Sequence, residues 1–269
     1  MWDTLTHKWL RVPYSLQVSA NRTVKHPVAT ILFIHGIGNS GEAWDDVIAK
    51  LPPNVNVLTI DLLGFGMSPK PTWAIYNAKT QARSVIATLV KLRLSSRLIV
   101  VGHSLGALIA VEVAKRYPLL VKSLILCSPP FYSDRHTDRR MPNGDTILKN
   151  FYRKVQQHPE EFLKFSAVAK KYGLVNKSFN VTRDHVGSYM GALEASIVNQ
   201  TSLEDAKKLN KPMTIIHGTL DPVVIRRNLK ELTEVNANAE LKTIVAGHEV
   251  KGRYVPFLVR TIIDTLPKK

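Results

Sequence analysis

Cysteine is nearly absent: the 269 residues contain one, Cys127. No internal disulfide can form, so a small disulfide-stapled scaffold is excluded and a hydrophobic core must carry stability. The simplest compartment reading is cytoplasmic. No apolar run approaches the roughly 20 residues of a membrane-spanning helix. The N-terminal stretch MWDTLTHKWLRVPYSLQVSA has an early acid and no apolar centre, so no secretory signal is expected. Metal-ligand spacings such as HExxH and CxxC are missing. The segment LLGFGMS lacks both the third glycine of a dinucleotide loop and a phosphate-loop lysine, so no metal and no cofactor are expected.

Acid is also scarce. Lys and Arg number 37 against 21 Asp and Glu, a net charge of +16. The excess is spread along the chain: residues 1–130 carry 14 basic and 6 acidic side chains, 131–211 carry 14 and 9, and 212–269 carry 9 and 6. The densest patch, Asp134 to Arg140, is interrupted by acids, and no run of five basic residues exists. This reads as a solvated basic surface. A nucleic-acid partner is not expected; membrane-surface contact is compatible with the charge but not favoured.

Present instead is a rhythm of short apolar runs and longer amphipathic segments. ATILFIHG, VNVLTIDLLG, RLIVVGHS and VKSLILCSPP read as strands buried on both faces. Between them, GEAWDDVIAKL, NAKTQARSVIATLVKLRL and LGALIAVEVAKRYP have helical spacing. From about Phe131 to Lys211 the strands stop and helical, aromatic-bearing segments take over. The alternation resumes at KPMTIIHGTLDP and runs through NLKELTEVN, AELKTIVAGHE and VPFLVRTIIDTL. The expectation is an α/β core from residues 1–130 and 212–269, with a helical insertion at 131–211. Such an insertion leaves the C-terminal edge of a parallel sheet, where ligands bind. KWLRVPYSLQVSAN is expected to add an edge strand or hairpin.

The stretch VVGHSLGALIA places Ser104 between Gly102 and Gly106, after a buried strand and before a helix. A turn that sharp strains the backbone at Ser104 and needs small residues on either side, and it leaves the hydroxyl exposed at the sheet edge. The helix that follows aims its N-terminal amides at the same point.

With this context the chain resembles the α/β-hydrolase fold superfamily, in its lid-bearing form. HGIGNSGEAW resembles that family's H-G-x loop, DLLGFGMSP its D-x-x-G-x-G-x-S segment, HGTLDPVV its acid loop and AGHEV its histidine loop. The resemblance covers nearly the whole length, the insertion only in position and character. It implies a mostly parallel sheet of the eight-stranded type with helices on both faces. It also implies a chain order of nucleophile, acid, histidine, which here gives Ser104, Asp221 and His248. The oxyanion hole would use the backbone N–H groups of Ile37 and Leu105.

His35, His103 and Asp61 read as structural. His217 is expected to be a hydrogen-bonded core histidine, and His136, His158 and His185 to be solvated in the insertion. The alternative acid position after the preceding strand reads Cys127-Ser128-Pro129-Pro130, with no acid before Asp134. The resemblance implies a serine hydrolase for carboxylic esters of small to medium apolar acyl groups, with a small-molecule ester as its partner. Phe131, Tyr132, Phe165, Tyr189 and Met190 are expected to line the substrate pocket, with Phe151 and Phe162 beside them in the roof. Carbon–carbon bond hydrolases, amidases, thioesterases, lactonases, lipases and peroxidase-like enzymes of the fold share the same motif. A ligand-binding protein with a vestigial triad is the remaining rival. Dehalogenases and epoxide hydrolases are disfavoured, because they carry aspartate where Ser104 stands.

Overall fold

The computed structural model of the chain describes residues 2–94, 97–132, 144–198 and 201–267. The apolar runs form β2 (Thr30–Ile34), β3 (Asn56–Ile60), β4 (Leu98–His103), β5 (Val121–Cys127) and β6 (Met213–Gly218), almost wholly buried. With β1 (Val18–Arg22) and β7 (Ala239–Ile244) they make one sheet of order β1-β3-β2-β4-β5-β6-β7. Only the β1–β3 pair is antiparallel. A strand covered on both sides can be apolar at every position, and β2 shows why. Ile31 and Phe33 enter one core layer, with Trp44 and Leu258, while Leu32 and Ile34 enter the other, with Leu105 and Leu108.

The sheet has seven strands among the described residues, against the eight-stranded type expected. The difference lies at the N-terminal edge. Thr4–Trp9 coils into a wide helical turn, and Pro13, which has no N–H to give a ladder, follows it; only Val18–Arg22 pairs.

On one face lie α1 (Asp45–Ile48) and the C-terminal α-helix Tyr254–Thr265. On the other lie α2 (Ala78–Lys91), started by Asn77 accepting from the Thr80 amide, and α3 (Leu105–Arg116). The described part of the expected insertion is helical: α4 (Gly144–Gln157), α5 (Pro159–Lys171), α6 (Arg183–Ala192), a wider turn Leu193–Val198, and α7 (Ser202–Lys207). Proline opens α5, acids fill its first turn and lysines its last, which suits the helix dipole.

The insertion was expected to end at residue 211, but α7 packs on α3 and on α8 (Arg226–Val235). Asn236 Nδ2 donates to the carbonyls of Ala206 and Leu209. The α7 segment therefore belongs with the layer covering the sheet. Asp134, His136 and the basic patch Asp134–Arg140 lie outside the described residues. Among the described residues no helix is long and apolar enough to cross a membrane.

Candidate active site

Three parallel strands deliver three side chains to one edge. Ser104 follows β4, Asp221 follows β6 and His248 follows β7. Ser104 has φ 52° and ψ −118°, the strained turn that the motif implies. A Cβ at Gly102 would sit 2.4 Å from the Gly106 carbonyl oxygen, and one at Gly106 would sit 2.1 Å from that of Ile34. Backbone occupies the space on both sides of the serine, so the flanking positions must be glycine.

The Ser104 hydroxyl lies 3.0 Å from His248 Nε2, and His248 Nδ1 lies 2.8 Å from Asp221 Oδ2. The other Asp221 oxygen accepts from the amides of Val223 (2.8 Å) and Val224 (3.3 Å). Burial opposes ionisation of Asp221. The His248 hydrogen bond and charge, with the two amides, outweigh it and hold the carboxyl below its ordinary range. Burial likewise opposes protonation of His248. The Asp221 bond and charge, with Glu249, outweigh it and raise the imidazole above its ordinary value. The Asp221 contact fixes Nδ1 as the protonated nitrogen and leaves Nε2 free to accept from Ser104.

His103 donates from Nε2 to the His248 carbonyl at 2.9 Å, so the residue before the serine pins the histidine loop. His35 is buried, and its pKa falls to about 4 chiefly through burial. It donates from Nδ1 to Gly36 and accepts the Leu62 amide at Nε2. Asp61 organises a turn, accepting from Ser19, Gly41 and Met67. The expectation for His217 fails in part: the ring is buried, but its Nδ1 has no hydrogen-bond partner among the described residues. His158 stands beside Glu161 on the surface and His185 is half-buried, both apart from the Ser104 cluster.

Among the described residues, the amides of Ile37 and Leu105 donate to no group of the chain. Leu105 opens α3, where an amide has no intrahelical partner, and Ile37 borders the cavity. The Gly36–Asn39 loop is held from outside. The Asn180 amide donates to the Gly38 carbonyl at 2.8 Å, and Ser178 Oγ donates to Asn39 Oδ1 at 3.0 Å. The Phe179 ring covers Gly38, where a Cβ would lie 2.4 Å from it.

Ser104 and His248 border a cavity of about 280 Å³, roofed by α5, α6 and the stretch after them. Of the expected pocket residues, Phe165 and Tyr189 line it; Phe131, Tyr132 and Met190 do not. Phe131 is fully buried in the core and its carbonyl accepts from Asn228, while Tyr132 donates to the Val223 carbonyl. Leaving β5 through two prolines, the chain turns these rings inward, and only Pro130 reaches the cavity. Met190 is one position past Tyr189, about 100° round the helix. The residues one and two turns on, Leu193 and Ile197, do line it. That i, i+4, i+8 stripe was readable from the sequence. Phe179, Val175 and Glu249, also in the lining, sit outside any periodic pattern.

Phe151, Phe162 and Phe165 separate this cavity from a second of about 380 Å³. In the lining of the first, the described residues include no Lys or Arg and one carboxylate, Glu249. Among the described residues no three His, Cys, Asp or Glu side chains converge as a metal site would require.

The sequence model of the alpha/beta hydrolase fold family matches residues 29–251. The Arabidopsis thaliana protein "Probable lysophospholipase BODYGUARD 4" is 33% identical over 125 residues, 46% of this chain; the match spans 30% of that relative's length. An esterase of Exiguobacterium antarcticum superposes with a TM-score of 0.75 at 17% identity, over 94% of this chain and 98% of its own. A bromoperoxidase of Bacillus anthracis gives 0.70 at 22% identity, over 88% and 92%.

Proposed function

Because the chain belongs to the alpha/beta hydrolase fold family, we propose that it is a serine hydrolase for uncharged carboxylic esters with small to medium apolar acyl groups. The observation that carries this reading is the hydrogen-bonded chain Ser104–His248–Asp221 at the wall of an apolar cavity. His248 Nε2 takes the hydroxyl proton as Ser104 Oγ attacks the ester carbonyl. The amides of Ile37 and Leu105 receive the developing oxyanion. Collapse expels the alcohol, protonated by His248, and leaves an acyl group on Ser104. Water, deprotonated by the same imidazole, then releases the acid. Asp221 keeps the imidazole in the working tautomer throughout.

The helical segment from α4 to the turn at Leu193–Val198 is the lid in this reading. It excludes water and bounds the acyl group. A volume of about 280 Å³ lies near the lower end of small-molecule pockets, which favours short chains. Charge narrows the class further. The protein is strongly basic, yet the described lining offers Glu249 and no Lys or Arg to a substrate phosphate or carboxylate. That disfavours phosphate- and carboxylate-bearing substrates, lysophospholipids among them, relative to neutral esters.

The test is turnover of p-nitrophenyl esters of increasing chain length, with a hemisuccinate ester as the anionic member, together with fluorophosphonate labelling. The wild type should label and should prefer short neutral esters; Ser104→Ala should do neither while melting like the wild type. Labelling retained in Ser104→Ala would refute the nucleophile, and preference for the hemisuccinate would refute the substrate class.

A further inference from the structure

The wide turn Thr4–Trp9 buries none of its residues, although the segment around it is rich in tryptophan and leucine. Trp2 is 80% exposed, Trp9 72%, Leu10 66% and, beside them, Ile75 67%. A loose tail could show such side chains by fraying, but this segment is tied down. Tyr14 donates to Asp3 at 2.8 Å, and its ring stacks on His7 at 3.7 Å. His7 Nδ1 meets the Val12 carbonyl at 2.7 Å, and Arg83 donates to the Arg11 carbonyl at 3.0 Å. Polar bonds therefore hold the backbone in a shape that presents the apolar side chains outward.

Behind the turn lies a cleft of about 460 Å³, larger than the cavity at Ser104. Lys8, Arg11, Lys79 and Arg83 border it, with Trp73 and Tyr14 in its wall and no carboxylate among its described lining. The nearby Asp3 is engaged by Tyr14 and lies 3.9 Å from His7 Nε2.

We infer that this face, the Trp2–Val12 segment with the start of α2, is a docking surface for an anionic lipid bilayer. Tryptophan and leucine beside lysine and arginine is the composition that settles at a bilayer interface: rings and aliphatic chains enter the headgroup layer, and the cations meet lipid phosphates. A second copy of the chain would bring the same four cations against these four, which opposes self-association. Nucleic acid would match the charge but would leave Leu5, Leu10 and Ile75 without an apolar partner. The surface also adjoins the lid. Tyr76, one residue past Ile75, receives a hydrogen bond from Ser188 of α6 and covers Gly191. Docking would thus present the lid side of the sheet to the membrane, where an uncharged ester partitions.

Vesicle co-sedimentation tests this with the full chain, using phosphatidylcholine alone or mixed with phosphatidylglycerol, at low and high salt. Each cation near an anionic surface contributes about fivefold to partitioning. The wild type should pellet with the mixed vesicles, with a blue shift of tryptophan fluorescence, and salt should weaken it. Lys8→Glu/Lys79→Glu should reduce partitioning at least ~25-fold, and Trp2→Ser/Trp9→Ser at least ~10-fold. Arg227→Glu/Lys230→Glu, on α8 toward the far edge of the sheet, changes net charge equally and should have much less effect.

Turnover of a water-soluble ester should be unchanged in all of these variants, which separates this proposal from the hydrolase reading. Three results would overturn it. One is equal loss in the α8 variant, which would mean net charge alone. Another is tryptophan-dependent binding of an oligonucleotide without vesicle binding. The third is tryptophan-dependent dimerisation in sedimentation velocity without vesicle binding.

Discussion

Replacing Asp221 with asparagine separates the geometry of the proposed triad from its charge. The Asp221 side chain is wholly buried, with one oxygen 2.8 Å from His248 Nδ1 and the other accepting from two backbone amides. An asparagine has one oxygen and one NH₂ to fill those places. With the oxygen kept toward Val223 and Val224, the NH₂ faces Nδ1, which must then be the unprotonated nitrogen. The imidazole proton moves to Nε2, and Ser104 loses its acceptor. With the amide flipped, the NH₂ meets the two backbone donors. Two buried donors left without acceptors cost about 1–3 kcal/mol each, so the flip costs about 2–6 kcal/mol. Neither orientation restores the base cheaply. A loss of up to ~10⁴-fold in kcat is expected, as in other triads, or about 5.4 kcal/mol of barrier. Steady-state hydrolysis of a short p-nitrophenyl ester, with circular dichroism to check folding, measures it. A folded Asp221→Asn within tenfold of wild type would refute Asp221 as the acid.

Because Asp221 and Glu249 raise His248 above its ordinary pKa, and only the neutral imidazole can act as base, kcat/KM should rise with pH through a midpoint above about 6.5. Asp221→Ala should move that midpoint toward acid; a wild-type midpoint below 6.5 would contradict the assignment. Phe162, packed between Phe151 and Tyr189, closes the wall between the two cavities. Phe162→Ala should therefore raise the kcat/KM of an octanoyl relative to a butyryl ester by at least ~10-fold, at about 3 kcal/mol in stability; an unchanged ratio from a folded variant would show that the wall does not limit chain length.

The core was legible because its signals are local and redundant. A run such as ATILFIHG, short, apolar and β-branched, fits a doubly covered strand, and GHSLG is explained by backbone atoms that come within 2.4 Å of any added Cβ. The three residues that meet at the sheet edge are those the family resemblance implies, each just past a strand end, and a parallel sheet sends all such ends to one side. The pocket was less legible. Which aromatic of a lid faces inward depends on helix phase and on how the chain leaves β5, so Phe131 entered the core while Phe179, in no periodic segment, reached the cavity. The N-terminal turn was missed for a related reason. The stretch Leu10–Ala20 alternates apolar and polar residues as an edge strand does, but only its end joins β1 (Val18–Arg22), Pro13 argues against a longer ladder, and TLTHKW before it carries no such alternation.

In the proposed reaction, the grip of the Ser178–Asn180 stretch on the Gly36–Asn39 loop links specificity to rate. The stretch Ser178–Asn180 makes two hydrogen bonds and one ring contact to that loop, and the loop carries the Ile37 amide proposed to receive the oxyanion. Oxyanion stabilisation depends on donors fixed near 3 Å from where the charge develops, so a small displacement of Ile37 removes a large part of it. The same stretch supplies Phe179 to the cavity wall. A substrate that pushes Phe179 aside would therefore also loosen the loop proposed to stabilise its transition state. In the proposed ester reaction, poor fit at the acyl end is then felt in kcat as well as in KM, and a helical cover of modest size discriminates more sharply than its contact area alone would allow.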